Sequence, residues 1–446
     1  MNKVSFEGDV SRRQFLKGSS LAVASALVAP YVITSHAAAD DPIRIGLIGC
    51  GGRGLGAIGN ALAAAPNVSL VAIADLFPEK LKAAREQLSQ LGAKGNASWA
   101  PGTVTTELKD VNIKLDDDHC FSGWDAYQKL LAIPEINYVI MATPPYFRSI
   151  HLKAGIEAGK NCFIEKPVAV DTTGVRAVIA AGAMAKTKGL GIVAGTQRRH
   201  QKNYQEAIKR IHDGAIGKIV AARCYWNQGT HTQHEKRQAA WSDMEFQLRN
   251  WIYYTWLSGD IIVEQHLHNI DVINWAMQAH PIKAYGMGGR TVRTDPEFGY
   301  IYDQFCVEFE YEGGARLTSM CRQIDGCSDN IGEAVVGGKG TSNCQSIITG
   351  DSPWRWPARD KFRNPYEQEH VDLIESIRAG KPLNEAQQVA ESNLTAIMGR
   401  ESAYSGKSID WDSAMESKLD LSPAKFEFGP LPTPPVPLPG KYKFAE

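Results

Sequence analysis

The chain has 446 residues, of which 43% are hydrophobic and 22% charged, and its formal net charge is −1. That length suits two domains, and the composition is that of an ordinary globular protein with a sizeable core. The near-neutral balance, with basic residues scattered along the chain, excludes the charged surface of a nucleic-acid binder.

The first forty residues read as an export address. Ser11-Arg12-Arg13-Gln14-Phe15-Leu16-Lys17 precedes an apolar run from Leu21 to Ile33, and Ala37-Ala38-Ala39 follows as a cleavage site. Paired arginines before such a run mark a twin-arginine signal peptide, here residues 1–39. The run is shorter than the ~20 residues that span a bilayer. No later segment holds 18 consecutive apolar residues, so no stable membrane insertion is expected and the mature protein is placed in the periplasm or outside the cell.

Next comes a dinucleotide-binding pattern. Ile43 to Ile48 is a short apolar strand that runs into Gly49-Cys50-Gly51-Gly52-Arg53-Gly54, a G-x-G-x-x-G turn. A helix is predicted from about Leu55 to Ala65 and a second strand from Val68 to Ala74, ending at Asp75. Gly49 permits the tight turn, Gly51 lets backbone approach a pyrophosphate, and Gly54 lets helix and strand pack closely. The helix N-terminus, with Gly52 and Arg53, offers N–H groups to phosphate. Asp75 stands roughly 20 positions on, where a carboxylate accepts from the ribose hydroxyls and repels a 2′-phosphate, which favours NAD over NADP. The nearest following cation is Lys80. The segment Leu91 to Cys120 is less regular, and its Asp116-Asp117-Asp118 triplet reads as a solvated loop. Glu135 to Ala142 then forms a buried strand ending at Thr143-Pro144-Pro145, a helix runs from about Ile150 to Ala158, and Asn161 to Ile164 is a strand ending at Glu165-Lys166-Pro167. Ligands of open α/β sheets bind beyond the carboxyl ends of strands, so Thr143, Pro144, Glu165 and Lys166 belong at the nicotinamide end.

After Pro167 a helix (about Thr172 to Thr187), a strand (Leu190 to Gly195), a polar turn Gln197-Arg198-Arg199-His200 and a helix through Tyr204 to His212 lead into strands at Lys218 to Trp226, Ile282 to Arg290, Asp303 to Tyr311 and Ala315 to Arg322. The fold class is therefore an N-terminal α/β Rossmann domain (residues 40–167) followed by an α+β domain with a mostly antiparallel sheet (residues 168–428). Between those strands lies Glu264-Gln265-His266-Leu267-His268-Asn269-Ile270-Asp271. On one helix Glu264 and His268 share a face at i,i+4, with Asp271 three residues further. A carboxylate beside a histidine fixes its tautomer, which suits a general base removing a hydroxyl proton. Trp226, Trp241, Trp251, Tyr253, Tyr254 and Trp256 crowd the approach to this segment, and one or two are candidates to stack on a sugar ring. Arg198, Arg199, His231 and His234 are further candidate contacts. No metal site is expected: none of the eight cysteines forms a C-x-x-C pair, and they read as small buried hydrophobes. A helix from about Ala386 to Met398 precedes Gly399, and residues 429–446 form a proline-rich tail, read as an extended arm along a partner subunit or in solvent.

From Ile43 to Lys407 the chain resembles the Gfo/Idh/MocA oxidoreductases, named for glucose–fructose oxidoreductase and inositol dehydrogenase. The resemblance rests on Gly49 to Gly54 with Asp75, on Ala142-Thr143-Pro144, on Glu165-Lys166-Pro167 and on Glu264 to Asp271. It implies hydride transfer from a hydroxyl of a sugar, sugar derivative or cyclitol to NAD, with Lys166 near nicotinamide and substrate, His268 and Glu264 as its catalytic companions, the late helix packed on the first domain, and a homo-oligomer assembled through the second sheet. Two departures stand out. Arg148 takes the place of a histidine common after the T-P turn, with His151 three residues on. The family's D-x-G-x-H-x-x-D reads E-x-H-x-H-x-x-D, with Glu264 for aspartate and His266 for glycine. Export makes free NAD scarce, so a tightly held cofactor is expected. Two other functions fit the same residues: glycoside cleavage through transient oxidation and elimination on bound NAD, and non-catalytic sugar binding.

Overall fold

The computed structural model describes residues 41–94, 112–230, 234–357, 359 and 361–445. The export signal of residues 1–39 and His231 lie outside them. Two sheets organise the described chain.

The first is the parallel sheet of the dinucleotide half. Its strands are β1 (Ile43–Ile48), β2 (Val68–Asp75), β3 (Asn112–Ile113), β4 (Cys120–Ser122), β5 (Tyr138–Met141), β6 (Asn161–Ile164) and β7 (Ile192–Ala194), in the spatial order β3-β2-β1-β5-β6-β7 with β4 also on β2. Helices α1 (Gly52–Ala64), α2 (Pro78–Lys94), α3 (Ala126–Leu131), α4 (Pro145–Glu157) and α5 (Thr172–Lys188) make the crossovers. β1, β2, β5 and β6 are mostly apolar and buried along nearly their whole length because helices cover both of their faces. The sheet does not stop at residue 167. α5 and β7 belong to it, with β7 pairing β6 from Cys162–Ile192 to Ile164–Ala194.

After α6 (Lys202–His212), the second sheet begins with β8 (Ile219–Gln228). Short helices α7 (Asp243–Arg249), α8 (Thr255–Ser258) and α9 (Ile261–Glu264) and the longer α10 (Leu267–Met277) follow. Then come β9 (Pro281–Gly289), β10 (Gln304–Tyr311), β11 (Arg316–Gln323), β12 (Asn330–Gly337), β13 (Gly340–Ser342), β14 (Ile347–Gly350) and β15 (Trp354–Arg355). Helices α11 (Pro365–Arg378) and α12 (Ala386–Ser405), strand β16 (Ile409–Asp410) and α13 (Trp411–Glu416) complete the chain. The order is β15-β14-β13-β12-β8-β11-β10-β9-β16, antiparallel except for β8 beside β11. One face of this sheet is buried under α9, α10 and α12.

Two sequence expectations change here, the end of α12 and the course of the tail. α12 runs through Gly399 to Ser405 instead of ending before it, because that glycine is a close approach: a Cβ there would stand 2.8 Å from Phe309 and 3.0 Å from Ile262. α12 packs on α5 of the first sheet and on β9, while α1 is covered by α11, whose Val371, Leu373 and Ile374 enter the core of Ile45, Leu47, Ile58 and Phe163. The proline-rich tail follows its own chain: Gln247 donates to the Leu431 carbonyl (2.7 Å), Tyr302 to that of Pro437 (2.8 Å) and Tyr442 to Glu401 (2.8 Å). All eight cysteines are free, five of them buried. No helix among the described residues is long and apolar enough to cross a membrane.

Candidate active site

A cavity of about 320 Å³ opens at the carboxyl ends of β1, β2 and β5, lined by Gly49, Gly51, Asp75, Thr143 and Pro144 among others. Gly49 has φ +98°, a conformation that favours glycine. A Cβ on Gly54 would lie 2.0 Å from the Gly49 carbonyl oxygen, so only glycine lets α1 close on the turn. A Cβ on Gly51 or Gly52 would meet nothing within 4 Å. Those two residues therefore leave room in front of the helix N-terminus, which has no side-chain cap and no acidic residue in its first turn. Free N–H groups facing open space suit a diphosphate. Asp75 accepts from Cys50 N–H (2.7 Å) and Phe77 N–H (2.9 Å), and each oxygen keeps a lone pair for a ribose hydroxyl. The residues present thus fit a dinucleotide.

Arg53, from the first turn of α1, reaches Glu165 at 2.9 Å and lies over the Tyr366 ring. Glu165 and Arg53 thus tie β6 to α1. Arg148 is buried, donating to the carbonyls of Thr143 (2.7 Å) and Pro167 (2.9 Å), and burial lowers its pKa to about 10. It staples the Thr143 turn to the Lys166-Pro167 turn. His151 bonds the Thr143 hydroxyl (3.1 Å), and burial followed by the Arg148 charge lowers its pKa to about 3.

Lys166, Glu264 and His268 come together next to β7 and β8. The Lys166 ammonium donates to the Glu264 carbonyl at 2.6 Å and lies 3.4 Å from its carboxylate. Glu264 and His268 do not share one continuous helix. In an unbroken helix the Glu264 carbonyl would take the N–H of His268; here Lys166 occupies it, and the helix breaks at Gln265 and His266 between α9 and α10. His266 is fully buried at the break, pinned to Ser319 on β11 (2.8 Å) beside Cys224 on β8. Burial, then the Arg198 charge, lowers its pKa to about 3.

No carboxylate among the described residues hydrogen-bonds His268. Asp271 is instead held by Arg199 (2.8 and 2.9 Å) and Ser392 (2.8 Å). The His268 ring stacks on Trp226 (5.8 Å between centroids, 27°), and the Arg198 guanidinium lies over the Trp226 and Tyr204 rings. Burial, then the Lys166 and Arg198 charges, push the His268 pKa well below its usual value. Arg198 itself pairs with Glu333 on β12, which also accepts from Asn269 (2.6 Å) and Tyr204 (3.2 Å). Buried polar atoms around this centre with no hydrogen-bond partner among the described residues include Thr196 Oγ1, Gln197 Oε1, Trp226 Nε1 and Glu264 Oε2.

Of the other aromatic candidates, Trp251 lines the nucleotide cavity, and Tyr253, Tyr254 and Trp256 are core. His234 is engaged with the Glu297 carbonyl (2.8 Å) and packs on Phe246, Tyr253 and Phe298. Among the described residues no cluster of His, Cys, Asp or Glu could hold a metal ion. Two further residues shape the site without a role assigned from sequence. Asp260, at φ +71°, accepts from Ile261 N–H (2.6 Å), Tyr302 N–H (2.8 Å) and the Tyr404 hydroxyl, and so sets the start of α9 that aims Glu264. Burial raises its pKa to about 6. A Gly-Asp pair before an apolar run is a cap signal and could have marked it. Glu333 had no local signal, since its partner Arg198 stands in another part of the chain.

Comparison with known proteins agrees with this layout. Residues 43–195 match the oxidoreductase family with an NAD-binding Rossmann fold, GFO/IDH/MocA, and residues 204–342 match the GFO/IDH/MocA C-terminal domain. The chain belongs to the Gfo/Idh/MocA oxidoreductase family. Inositol 2-dehydrogenase of Rhizobium meliloti is 25% identical over 348 residues, covering 76% of this chain and 88% of the relative. A glycosyl hydrolase family 109 protein of Streptomyces coelicolor is 23% identical over 210 residues, 46% of this chain and 39% of that protein. Aldose-aldose oxidoreductase from Caulobacter crescentus has the same fold, with a TM-score of 0.62 at 19% identity over 83% of this chain and 99% of that one. As a Gfo/Idh/MocA member the chain has an NAD-binding Rossmann half over residues 43–195, the half whose glycine turn and Asp75 fit a dinucleotide.

Proposed function

We propose that the protein oxidises a secondary hydroxyl of a sugar, sugar derivative or cyclitol, with Lys166, Glu264 and His268 around the reacting carbon. The observation that carries this reading is the pairing of the Lys166 ammonium with Glu264 beside a histidine kept neutral by burial and by two cations. A neutral imidazole can accept the hydroxyl proton. Lys166 holds the same oxygen and stabilises charge that develops on it. Trp226 offers an apolar face next to that base, and the unpartnered atoms of Thr196, Gln197 and Glu264 suit a ligand rich in hydroxyls. Bound NAD supplies the hydride acceptor. Glu264 keeps one carboxylate oxygen free, a second proton-handling group, which favours redox-neutral glycoside cleavage as the other reading.

The pattern Ser11 to Lys17 supports export by the twin-arginine route, which carries folded proteins, and a cofactor that leaves the cytoplasm inside its protein. A row of side chains on the uncovered face of the second sheet supports a homo-oligomer. Met287, Cys306, Met320 and Tyr225 stand side by side across β9, β10, β11 and β8, and Met287 is 65% exposed.

One preparation tests function and export together. The full chain is expressed with its leader, recovered from the periplasm, denatured, and its released nucleotide counted per chain. The expected result is near-stoichiometric NAD, lost from the periplasm when Arg12 and Arg13 are both changed to lysine. Sugars, cyclitols and glycosides are then offered. Net NADH with a free sugar or cyclitol supports the dehydrogenase, and leaving-group release without net NADH supports cleavage. NAD bound without turnover of any of them would overturn both in favour of a sugar-binding relative.

A further inference from the structure

The segment after α13 runs beside the nucleotide cavity, which Phe426 helps to line. It is tied down on both sides. On one side the Leu419 carbonyl accepts from Thr172 (3.2 Å) and Thr173 (3.0 Å), and Leu421 N–H donates to Asp171 (2.9 Å) at the start of α5. On the other, Met244 N–H donates to the Gly429 carbonyl (3.1 Å) and Leu431 N–H to Asp243 (3.2 Å) at the start of α7. Residues 422–428 between these ties make no backbone–backbone hydrogen bond to the body of the protein. What they carry is two phenylalanines. Phe428 stacks on Phe77 (6.0 Å, 24°), two residues beyond Asp75, and packs on Trp124 (5.5 Å). Phe426 packs on Trp124 (6.1 Å), Phe147 (5.9 Å) and Tyr146 (5.8 Å), and it lines the cavity together with Gly49, Gly51 and Asp75. Both rings nonetheless stay open to solvent, Phe426 at 40% and Phe428 at 47%.

We propose that residues 422–428 form a strap that retains the dinucleotide, with Phe426 as a cofactor-contacting residue at the Asp75 end of the cavity. The strap rests on the NAD site of this family and adds to it an element from the far end of the chain. Its physics is that of a bolt. A segment pinned at both ends by side-chain and backbone hydrogen bonds, and held between them by ring contacts and a side-chain hydrogen bond of Ser422 with Tyr146, can lift without unravelling the sheet beneath it. A nucleotide in the cavity covers apolar surface of Phe426 and Trp124, so lifting the strap exposes that surface again, and release slows by that cost. Retention then requires no covalent link and no partner subunit. It suits an enzyme that returns its cofactor to the starting state within each turnover.

The test is the rate at which pre-bound NADH leaves the full-length protein when chased with excess NAD, read by NADH fluorescence. Phe426→Ala should speed release by roughly tenfold or more, the scale of one lost aromatic contact, while Phe426→Leu recovers part of the retention. In the unmodified protein, bound NAD should slow tryptic cleavage after the exposed Lys425 severalfold, because cleavage needs the strap lifted. A release rate unchanged in Phe426→Ala, or cleavage at Lys425 indifferent to NAD, would overturn the strap while leaving the NAD site intact. Failure of the unmodified protein to bind NADH at all would overturn the cofactor reading and the strap with it.

Discussion

His268 decides what the site can do. An imidazole in water takes a proton near pH 6.5; here burial and the cations Lys166 and Arg198 all oppose the imidazolium. The residue therefore stays an acceptor to well below pH 6.5. The acid limb of kcat/KM is expected to fall below that pH, and Arg198→Met, which removes one opposing charge, should move it upward. A limb at or above pH 6.5 in the unmodified enzyme would remove His268 as the base. His268→Gln should lower turnover by about 10²- to 10⁴-fold with the NAD content unchanged. The same depression has a stability sign. The unfolded chain binds the proton that the folded site refuses, so the contribution of His268 is present above pH 6.5 and is lost as the pH falls below it.

Among the elements, α1 separates the two uses of glycine. Gly54→Ala would drive a Cβ into the Gly49 carbonyl, so it should lower stability by about 1–3 kcal/mol, seen as a fall in Tm. Gly51→Ala meets no protein atom, so it should leave Tm in place and weaken NAD binding. Equal effects of the two on Tm would refute this division. The glycine turn, Asp75 and the alternation of strands and helices were legible because each is a local pattern with a local cause. The break between α9 and α10 was not. Its cause is an ammonium supplied by Lys166 from 98 residues away, and helix periodicity alone places Glu264 and His268 on one face. The strands β12 to β15 are not legible either, because β13, β14 and β15 have only three, four and two residues, and β12 is interrupted by Gly332 and takes its register from β8. The early end assigned to α12 has the converse cause, since Gly399 looks like a stop and acts as a packing notch for Phe309.

At the scale of the whole molecule, the row Met287–Cys306–Met320–Tyr225 lies on the face of the second sheet that no helix among the described residues covers. Met320→Asp is expected to lower the mass measured by light scattering to that of a single chain without lowering Tm by more than a few degrees. A single-chain mass in the unmodified protein would remove the assembly. The covered side has a different history. The core of the dinucleotide half holds Ile45, Leu47 and Phe163 together with Val371, Leu373 and Ile374 of α11, and Arg378 bonds the carbonyls of Asp41 and Pro66. A chain emerging from the ribosome therefore carries its glycine turn and Asp75 for roughly three hundred residues before α11 (Pro365–Arg378) arrives to close the layer behind them. The strap that lines the cavity arrives later still. The nucleotide half is thus unfinished until synthesis is nearly over, and a chain cut short near its end loses the completion of the first domain translated.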